Sequence, residues 1–106
     1  MNYIYMVECS DGSFYTGWTT DVKRRFFIHQ RGKGAKYTRI RRPLKLIYIE
    51  ELKTKSEALK REIIIKRLKR DKKEELLENL TEKEKGLIRN INDEWENRTK
   101  VRKKED

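Results

Sequence analysis

Five side chains stand out because their types match the tasks of phosphodiester hydrolysis: Tyr5, Tyr15, Arg25, His29 and Glu62. A phenol can take a proton from water, a guanidinium can hold a phosphate, and a carboxylate can bind a divalent cation. A free phenol ionises near pH 10, so a tyrosine that acts as a base needs a neighbouring cation, a hydrogen-bonded base or a metal-bound water. The five side chains can act together only if the elements that carry them converge.

A predicted β-hairpin carries the two tyrosines. Two runs of aromatic and β-branched residues flank the segment Ser10-Asp11-Gly12, which suits a hairpin loop. A two-residue loop would place Tyr5 and Tyr15 on opposite faces of the sheet. A three-residue loop with Gly12 in the left-handed region places both rings on one face, and we predict this loop.

A helix is predicted directly after the hairpin. The capping residues Thr19-Thr20-Asp21 precede it, and it extends to about Gln30. Arg25 and His29 lie one turn apart on this helix and therefore point in a similar direction. His29 is the only histidine, so it makes no metal site by itself. Hydrogen bonding to a tyrosine, or donation to phosphate when protonated, suits it better.

Glu62 lies on a second predicted helix that follows a third strand. The near-continuous apolar run at residues 44–49 predicts a strand that is covered on both faces. Thr54 and Glu57 have the spacing of a capping box, which predicts a helix over about residues 55–69. Glu62 could pair with Lys66 at i and i+4, but its side of the helix is apolar, so we predict that the carboxylate faces inward.

The fold class predicted from these elements is α/β, with a small three-stranded sheet, a hairpin plus a third strand, flanked by helices. Further helices are predicted over residues 71–80 and from Thr81 to about Trp95. A charged tail, residues 98–106, is predicted to be partly disordered. We therefore expect a catalytic domain over residues 1–82, and a C-terminal helix with its tail over residues 83–106.

Composition limits the class of partner. The chain has 106 residues and a formal charge of +10, from 28 Lys and Arg against 18 Asp and Glu, so its field attracts polyanions such as nucleic acids. It has no apolar run long enough to cross a membrane and no signal segment, so a cytoplasmic location is expected. The single cysteine, Cys9, excludes a disulfide framework or a thiolate metal cluster within the chain.

A glycine-rich basic segment follows the first helix. Residues 32–42 lack the spacing of a nucleotide-binding loop, and we predict an exposed loop that contacts the phosphate backbone. The candidate contacts are five cations and one ring that could stack on an unpaired base. They are Lys33, Lys36, Tyr37, Arg39, Arg41 and Arg42.

The order of these residues resembles the GIY-YIG nuclease superfamily. The two name-giving motifs correspond to Tyr3-Ile4-Tyr5 and Tyr15-Thr16-Gly17, followed by Arg25, His29 and Glu62 at matching places. The segment at residues 32–39 further resembles the small, single-domain bacterial branch of that superfamily. Two departures are Tyr3, where the family has glycine, and Thr16 within the second motif. A polar amide found late in the family's active site has no position that can be assigned among Asn79, Asn90, Asn92 and Asn97.

The resemblance implies DNA hydrolysis that depends on Mg²⁺ or Mn²⁺, with the five named side chains as catalytic residues and Arg25 on the phosphate. Glu62 is the implied metal ligand, and because it is a single carboxylate, we expect one ion that binds weakly without DNA. The substrate would be branched, flapped or single-stranded DNA, or a protein partner would supply specificity. The alternative is a module that binds nucleic acid through the same basic surface without cleaving it.

Overall fold

The computed structural model describes the backbone of residues 1–105 and the side chains of residues 1–43 and 45–98. The elements in chain order are β1 (Asn2–Cys9), β2 (Phe14–Thr19), α1 (Val22–Gln30), α2 (Lys36–Ile40), β3 (Pro43–Leu52), α3 (Lys55–Arg67), α4 (Arg70–Glu78) and α5 (Glu82–Glu105). The strands form one antiparallel sheet in the order β2-β1-β3. The predicted fold class is confirmed: three strands flanked by helices.

The hairpin has the predicted register. The Cys9 amide donates to the Ser13 carbonyl at 2.9 Å, and Gly12 adopts a φ of +83°, a conformation that glycine reaches without strain. Tyr5 then lies opposite Gly17 in the ladder. The rings of Tyr5 and Tyr15 lie on one face of the sheet, with centroids 6.4 Å apart.

Helices cover both faces of the sheet, which explains why β1 lacks a polar side. On one face, Tyr5 and Val7 pack in a cluster with side chains of α1 and α5. On the other face, Ile4 and Met6 pack against α3, where Ala58 is fully buried. Since successive side chains of a strand point to opposite faces, a central strand covered twice must be apolar throughout.

The predicted helix starts are confirmed by their capping hydrogen bonds. The Asp21 carboxylate accepts from the Arg24 amide at 3.1 Å, and the Thr54 hydroxyl accepts from the Glu57 amide at 3.1 Å. Before α5, the backbone amide of Thr81 donates to the Glu84 carboxylate, and the Thr81 hydroxyl accepts in return. These contacts satisfy amides that have no partner inside the helix.

Two predicted element boundaries differ from the structure. The basic segment, predicted as a loop, contains the short helix α2, on which Thr38 is fully buried. The last helix continues to Glu105, well beyond the predicted end near Trp95. The predicted disorder of the tail falls mostly on residues 99–106, which lie outside the described side chains.

Helix α5 completes the fold by contacting β3, the strand at one edge of the sheet. The Asn92 amide group accepts from the Leu46 backbone N–H and donates to the Leu46 carbonyl, both at 2.9 Å. It therefore substitutes for a neighbouring strand at that position. Ile88 and Trp95 pack against the same core. In the part of the chain that the structure describes, no helix has the length and apolar character needed to span a membrane.

Replacing Asn92 by alanine tests this edge contact. We expect Asn92→Ala to lower the free energy of unfolding by about 1–3 kcal/mol, because two backbone groups of β3 lose their partner. The measurement is urea unfolding followed by circular dichroism. Asn90→Ala, at an exposed position of the same helix, is the control for the change in helix propensity. Equal stability of the two variants would contradict the proposed edge contact.

Candidate active site

A buried chain of hydrogen bonds joins β1, α1 and α2. The Tyr5 hydroxyl lies 2.6 Å from His29 Nε2, and His29 Nδ1 lies 2.7 Å from the Thr38 hydroxyl. The Thr38 hydroxyl donates its only proton to the carbonyl of Ala35 at 2.9 Å, so it must accept from His29 Nδ1. His29 Nε2 therefore accepts from the Tyr5 hydroxyl. The hydrogen bond predicted between His29 and a tyrosine is present.

Two glycines make room for this chain. A Cβ on Gly17 would lie 2.7 Å from Cζ of Tyr5, and a Cβ on Gly34 would collide with the imidazole of His29. Neither glycine has a positive φ, so the requirement is space rather than backbone conformation. Gly17 belongs to the second motif, and Gly34 comes from the segment before α2.

Burial keeps the Tyr5–His29 pair neutral. It raises the pKa of Tyr5 to about 12, while the Arg25 guanidinium acts in the opposite direction. Burial also lowers the pKa of His29 to about 4, and the nearby Arg25 adds to that decrease. At neutral pH the proton therefore stays on the phenol, and His29 is an unprotonated acceptor.

Tyr15 is the second phenol of the site. Its ring centroid lies 5.4 Å from that of His29 and 5.8 Å from that of Tyr37, on which it stacks. Burial raises the pKa of Tyr15, Arg25 opposes that increase and Glu62 adds to it. Both phenols thus lie within electrostatic reach of the same cation and the same carboxylate.

Glu62 reaches this group from α3. Its side chain is 19% exposed, so the predicted inward orientation agrees with the structure. The carboxylate also pairs with Lys66 at 3.6 Å, so the expectation that an inward orientation excludes this i, i+4 pair is wrong. The Lys66 ammonium also lies 5.9 Å from the centroid of the Tyr15 ring. One residue earlier, Arg61 binds the Glu50 carboxylate of β3 at 2.8 Å, which fixes α3 against the sheet.

The basic segment differs from the predicted exposed loop at two positions. Tyr37 is half-buried between Tyr15 and Arg41, whose guanidinium lies 4.0 Å from the Tyr37 ring centroid. Arg41 also pairs with Asp11 at 3.2 Å, and the Tyr37 hydroxyl donates to Ser13 at 2.7 Å. These contacts join α2 to the hairpin loop. The remaining candidates in the segment are exposed: Lys33, Lys36, Arg39 and Arg42.

Sequence reasoning missed Thr38, Gly34 and Lys66. Thr38 is nine residues from His29, and its role depends on a short helix that no periodicity indicated. The i, i+4 spacing of Glu62 and Lys66 was the one available signal for that pair. Asn92, a candidate for the family's late amide, bonds to the backbone of β3 and lies outside the site.

Comparisons with known proteins identify the family. Residues 1–75 match the family model of the GIY-YIG catalytic domain. The chain belongs to the GIY-YIG family. A UPF0213 protein from Streptococcus pneumoniae serotype 4 is 47% identical over 93 residues, which cover 88% of this chain and 92% of that protein. A UPF0213 protein from Staphylococcus saprophyticus is 55% identical over 76 residues, which cover 72% and 93%.

A solved structure is also similar. The solution NMR structure of a protein from E. faecalis matches with a TM-score of 0.52 and 46% identity, over 73% of this chain and 82% of that one. GIY-YIG proteins are typically endonucleases that act on nucleic acids and generally use divalent metals. The relatives named above carry only the name UPF0213.

The residues of this GIY-YIG chain fit a weakly held divalent cation. Within the described side chains, no three His, Cys, Asp or Glu residues come together as a preformed metal cluster. Glu62 offers one mostly buried carboxylate, and its partner Lys66 is half-exposed and can move away. One carboxylate suits a hard cation that keeps several waters and takes further oxygen ligands from phosphate.

Substitution of Gly34 tests the space requirement. We expect Gly34→Ala to displace His29, to weaken its bonds to Tyr5 and Thr38, and to destabilise the fold by about 1–3 kcal/mol. Urea unfolding and NMR of the imidazole nitrogens are the measurements. Gly86→Ala is the matched control: a Cβ there meets nothing within 4 Å, so the substitution should stabilise α5. An unchanged His29 environment in Gly34→Ala would refute the argument.

The depressed pKa of His29 predicts a pH dependence of stability. Between the unfolded pKa near 6.5 and the folded pKa of about 4, the unfolded chain binds more protons. The free energy of unfolding should therefore fall as the pH is lowered through this window, by up to about 1.4 kcal/mol per pH unit. Denaturant unfolding from pH 7 to 4 measures this decrease in the free energy of unfolding. The His29→Gln variant lacks the imidazole, so its own decrease over the same range gives the contribution of the carboxylates. Titration of His29 near 6.5 by NMR would contradict this prediction.

Proposed function

We propose that this protein is an endonuclease that hydrolyses phosphodiester bonds of DNA with the help of Mg²⁺ or Mn²⁺. The observation that carries the proposal is the neutral Tyr5–His29 pair beside a second phenol, an arginine and a carboxylate. Side chains that are up to 57 positions apart in sequence lie around one site, as a common chemical task requires.

Tyr5 is the proposed general base, because it is the tyrosine bonded to His29. As the oxygen of the attacking water bonds to phosphorus, the water gives a proton to the Tyr5 oxygen, and the Tyr5 proton passes to His29 Nε2 over 2.6 Å. The bond from phosphorus to the leaving oxygen breaks, and that oxygen takes up a proton from solvent. Since the phenol is neutral at rest, it gains basicity only by giving its own proton to His29.

Arg25 and Glu62 supply the electrostatics. Arg25 is the cation that opposes the raised pKa of both phenols, and its planar guanidinium can hold two oxygens of the scissile phosphate. Glu62 would hold the divalent cation, which when bound polarises the phosphate and stabilises the charge of the leaving oxygen. Lys66 neutralises Glu62 when the cation is absent. Tyr15 would orient the phosphate or the water.

The exposed cations near α2 would bind the DNA backbone without regard to sequence. They are Lys33, Lys36, Arg39 and Arg42. Arg41 and Tyr37 would contact DNA only after leaving their present partners. We propose branched, flapped or single-stranded DNA as the substrate, or a protein partner that supplies specificity.

The single cysteine, which is buried and free, suits a reducing compartment such as the cytoplasm.

A panel of labelled DNA structures, incubated with Mg²⁺ or Mn²⁺, tests the proposal. We expect metal-dependent cleavage of at least one structure, with Glu62→Gln and Arg25→Ala each reducing the rate by about 10²–10³-fold. Glu57→Gln is the matched control, since Glu57 is exposed and lies on the same helix. Cleavage that survives in both site variants would refute the assignment.

A binding assay with the same DNA structures separates the enzyme from a binding module. If no DNA structure is cut, yet DNA binds in EDTA with a steep salt dependence and Glu62→Gln binds equally well, the basic surface acts without catalysis. The Glu62–Lys66 pair favours this second candidate, because an ion pair already neutralises the acid without a metal.

A further inference from the structure

A second polar pocket opens beside Arg25 where β2 leads into α1. Its volume is about 250 Å³. Its lining combines hydroxyls, guanidiniums, one acid and one aliphatic side chain: Thr19, Thr20, Asp21, Arg24, Arg25 and Ile28. A pocket of this size is below the range typical of whole cofactors and suits a single small group.

The charges of the pocket favour an anion. Among the described side chains, neither Arg24 nor Arg25 has a carboxylate within ion-pair distance. The one acid in the lining, Asp21, already accepts a hydrogen bond from the Arg24 amide as the cap of α1. The adjacent cation Lys23, by contrast, pairs with Glu94 of α5 at 3.3 Å. Arg24 is thus left without a carboxylate among the described side chains, and Arg25, which has a hydrogen bond to Tyr5, adds positive charge beside it.

The position of the pocket relates it to the reaction centre. Along β2, Tyr15, Gly17 and Thr19 follow at alternate positions, so the pocket lies about 7 Å beyond Gly17, where Tyr5 packs. Arg25 belongs to both places. The basic residues of α2 lie toward the other end of β2, where Tyr37 stacks on Tyr15. A nucleic-acid strand that follows β2 would therefore pass the pocket on one side of the centre and α2 on the other.

We propose that Thr20 and Arg24, next to Arg25, form a subsite for the phosphodiester that neighbours the scissile one on the cleaved strand. The planar guanidinium of Arg24 can bind two phosphate oxygens at once, and the Thr20 hydroxyl can donate to a third. The Thr19 hydroxyl donates to the Asp21 carbonyl and so shapes the pocket without binding the anion. The subsite fixes the register of the strand, so that one phosphodiester is presented to Tyr5 and Glu62. The role of the subsite in cleavage rests on the proposed function. Its predicted affinity for DNA does not depend on cleavage.

Two variants with the same loss of charge at adjacent positions test the subsite. Arg24→Gln removes a pocket cation, and Lys23→Gln removes the neighbouring cation that is paired with Glu94. The probe is a fluorescein-labelled single-stranded DNA, titrated in EDTA at several salt concentrations. We expect Arg24→Gln to weaken binding about tenfold and to reduce the slope of log K against log salt by about 0.9. Lys23→Gln should bind nearly as the unmodified chain does.

A substrate modification locates the contact. One phosphate at a time is replaced by an uncharged methylphosphonate. At one position the replacement should weaken DNA binding by the Lys23→Gln variant but leave the affinity of the Arg24→Gln variant unchanged. Asp21→Asn keeps the capping oxygen and removes the repulsive charge, so it should tighten binding. Equal losses for Arg24→Gln and Lys23→Gln, or no such phosphate position, would overturn the subsite.

Failure of the subsite and failure of the nuclease proposal give different results. If the unmodified chain cleaves no DNA but Arg24→Gln alone weakens binding, the subsite stands and catalysis is refuted. If cleavage depends on Glu62 but Arg24→Gln leaves both binding and KM unchanged, the nuclease stands and the subsite is refuted. With both correct, Arg24→Gln raises KM about tenfold and leaves kcat near its original value.

Discussion

One buried histidine holds the candidate active site together. His29 joins the central strand through Tyr5 and the short helix α2 through Thr38, and Thr38 in turn bonds to the Ala35 carbonyl. Because the Thr38 hydroxyl has only one proton to give, this chain of bonds permits a single tautomer of the neutral ring. The acceptor nitrogen is therefore already aimed at the phenol in the folded protein, and the proposed proton transfer needs no rotation of the imidazole.

Turn chemistry and helical spacing were sufficient to predict contacts within the hairpin and within α1. The loop with Gly12 fixed the hairpin register and hence the shared face of Tyr5 and Tyr15, and helical spacing placed Arg25 beside His29. The contact of Thr38 with His29 could not be predicted, because it depends on how the chain folds back between two helices. The tertiary packing of α2 against α1 decides this contact, and neither propensity nor periodicity encodes it.

The cations behind the net charge of +10 have different roles. Arg41 and Arg70 are bound within the protein, to Asp11 and to the Gly12 carbonyl respectively, and they stabilise the hairpin loop. Arg25, by contrast, opposes the raised pKa of the phenols and adds to the low pKa of His29. Net charge alone therefore says little about which cation meets a nucleic acid; the partners of each guanidinium decide it.

Helix α5 lies outside the segment that matches the family model, yet it packs against the core behind the candidate active site. Trp95 packs 5.2 Å from the ring of Phe27 on α1, the helix that also carries Arg25 and His29. A substitution at Trp95 would therefore alter the packing of α1 and, with it, the positions of Arg25 and His29, although no described side chain of α5 is among the five candidate catalytic residues.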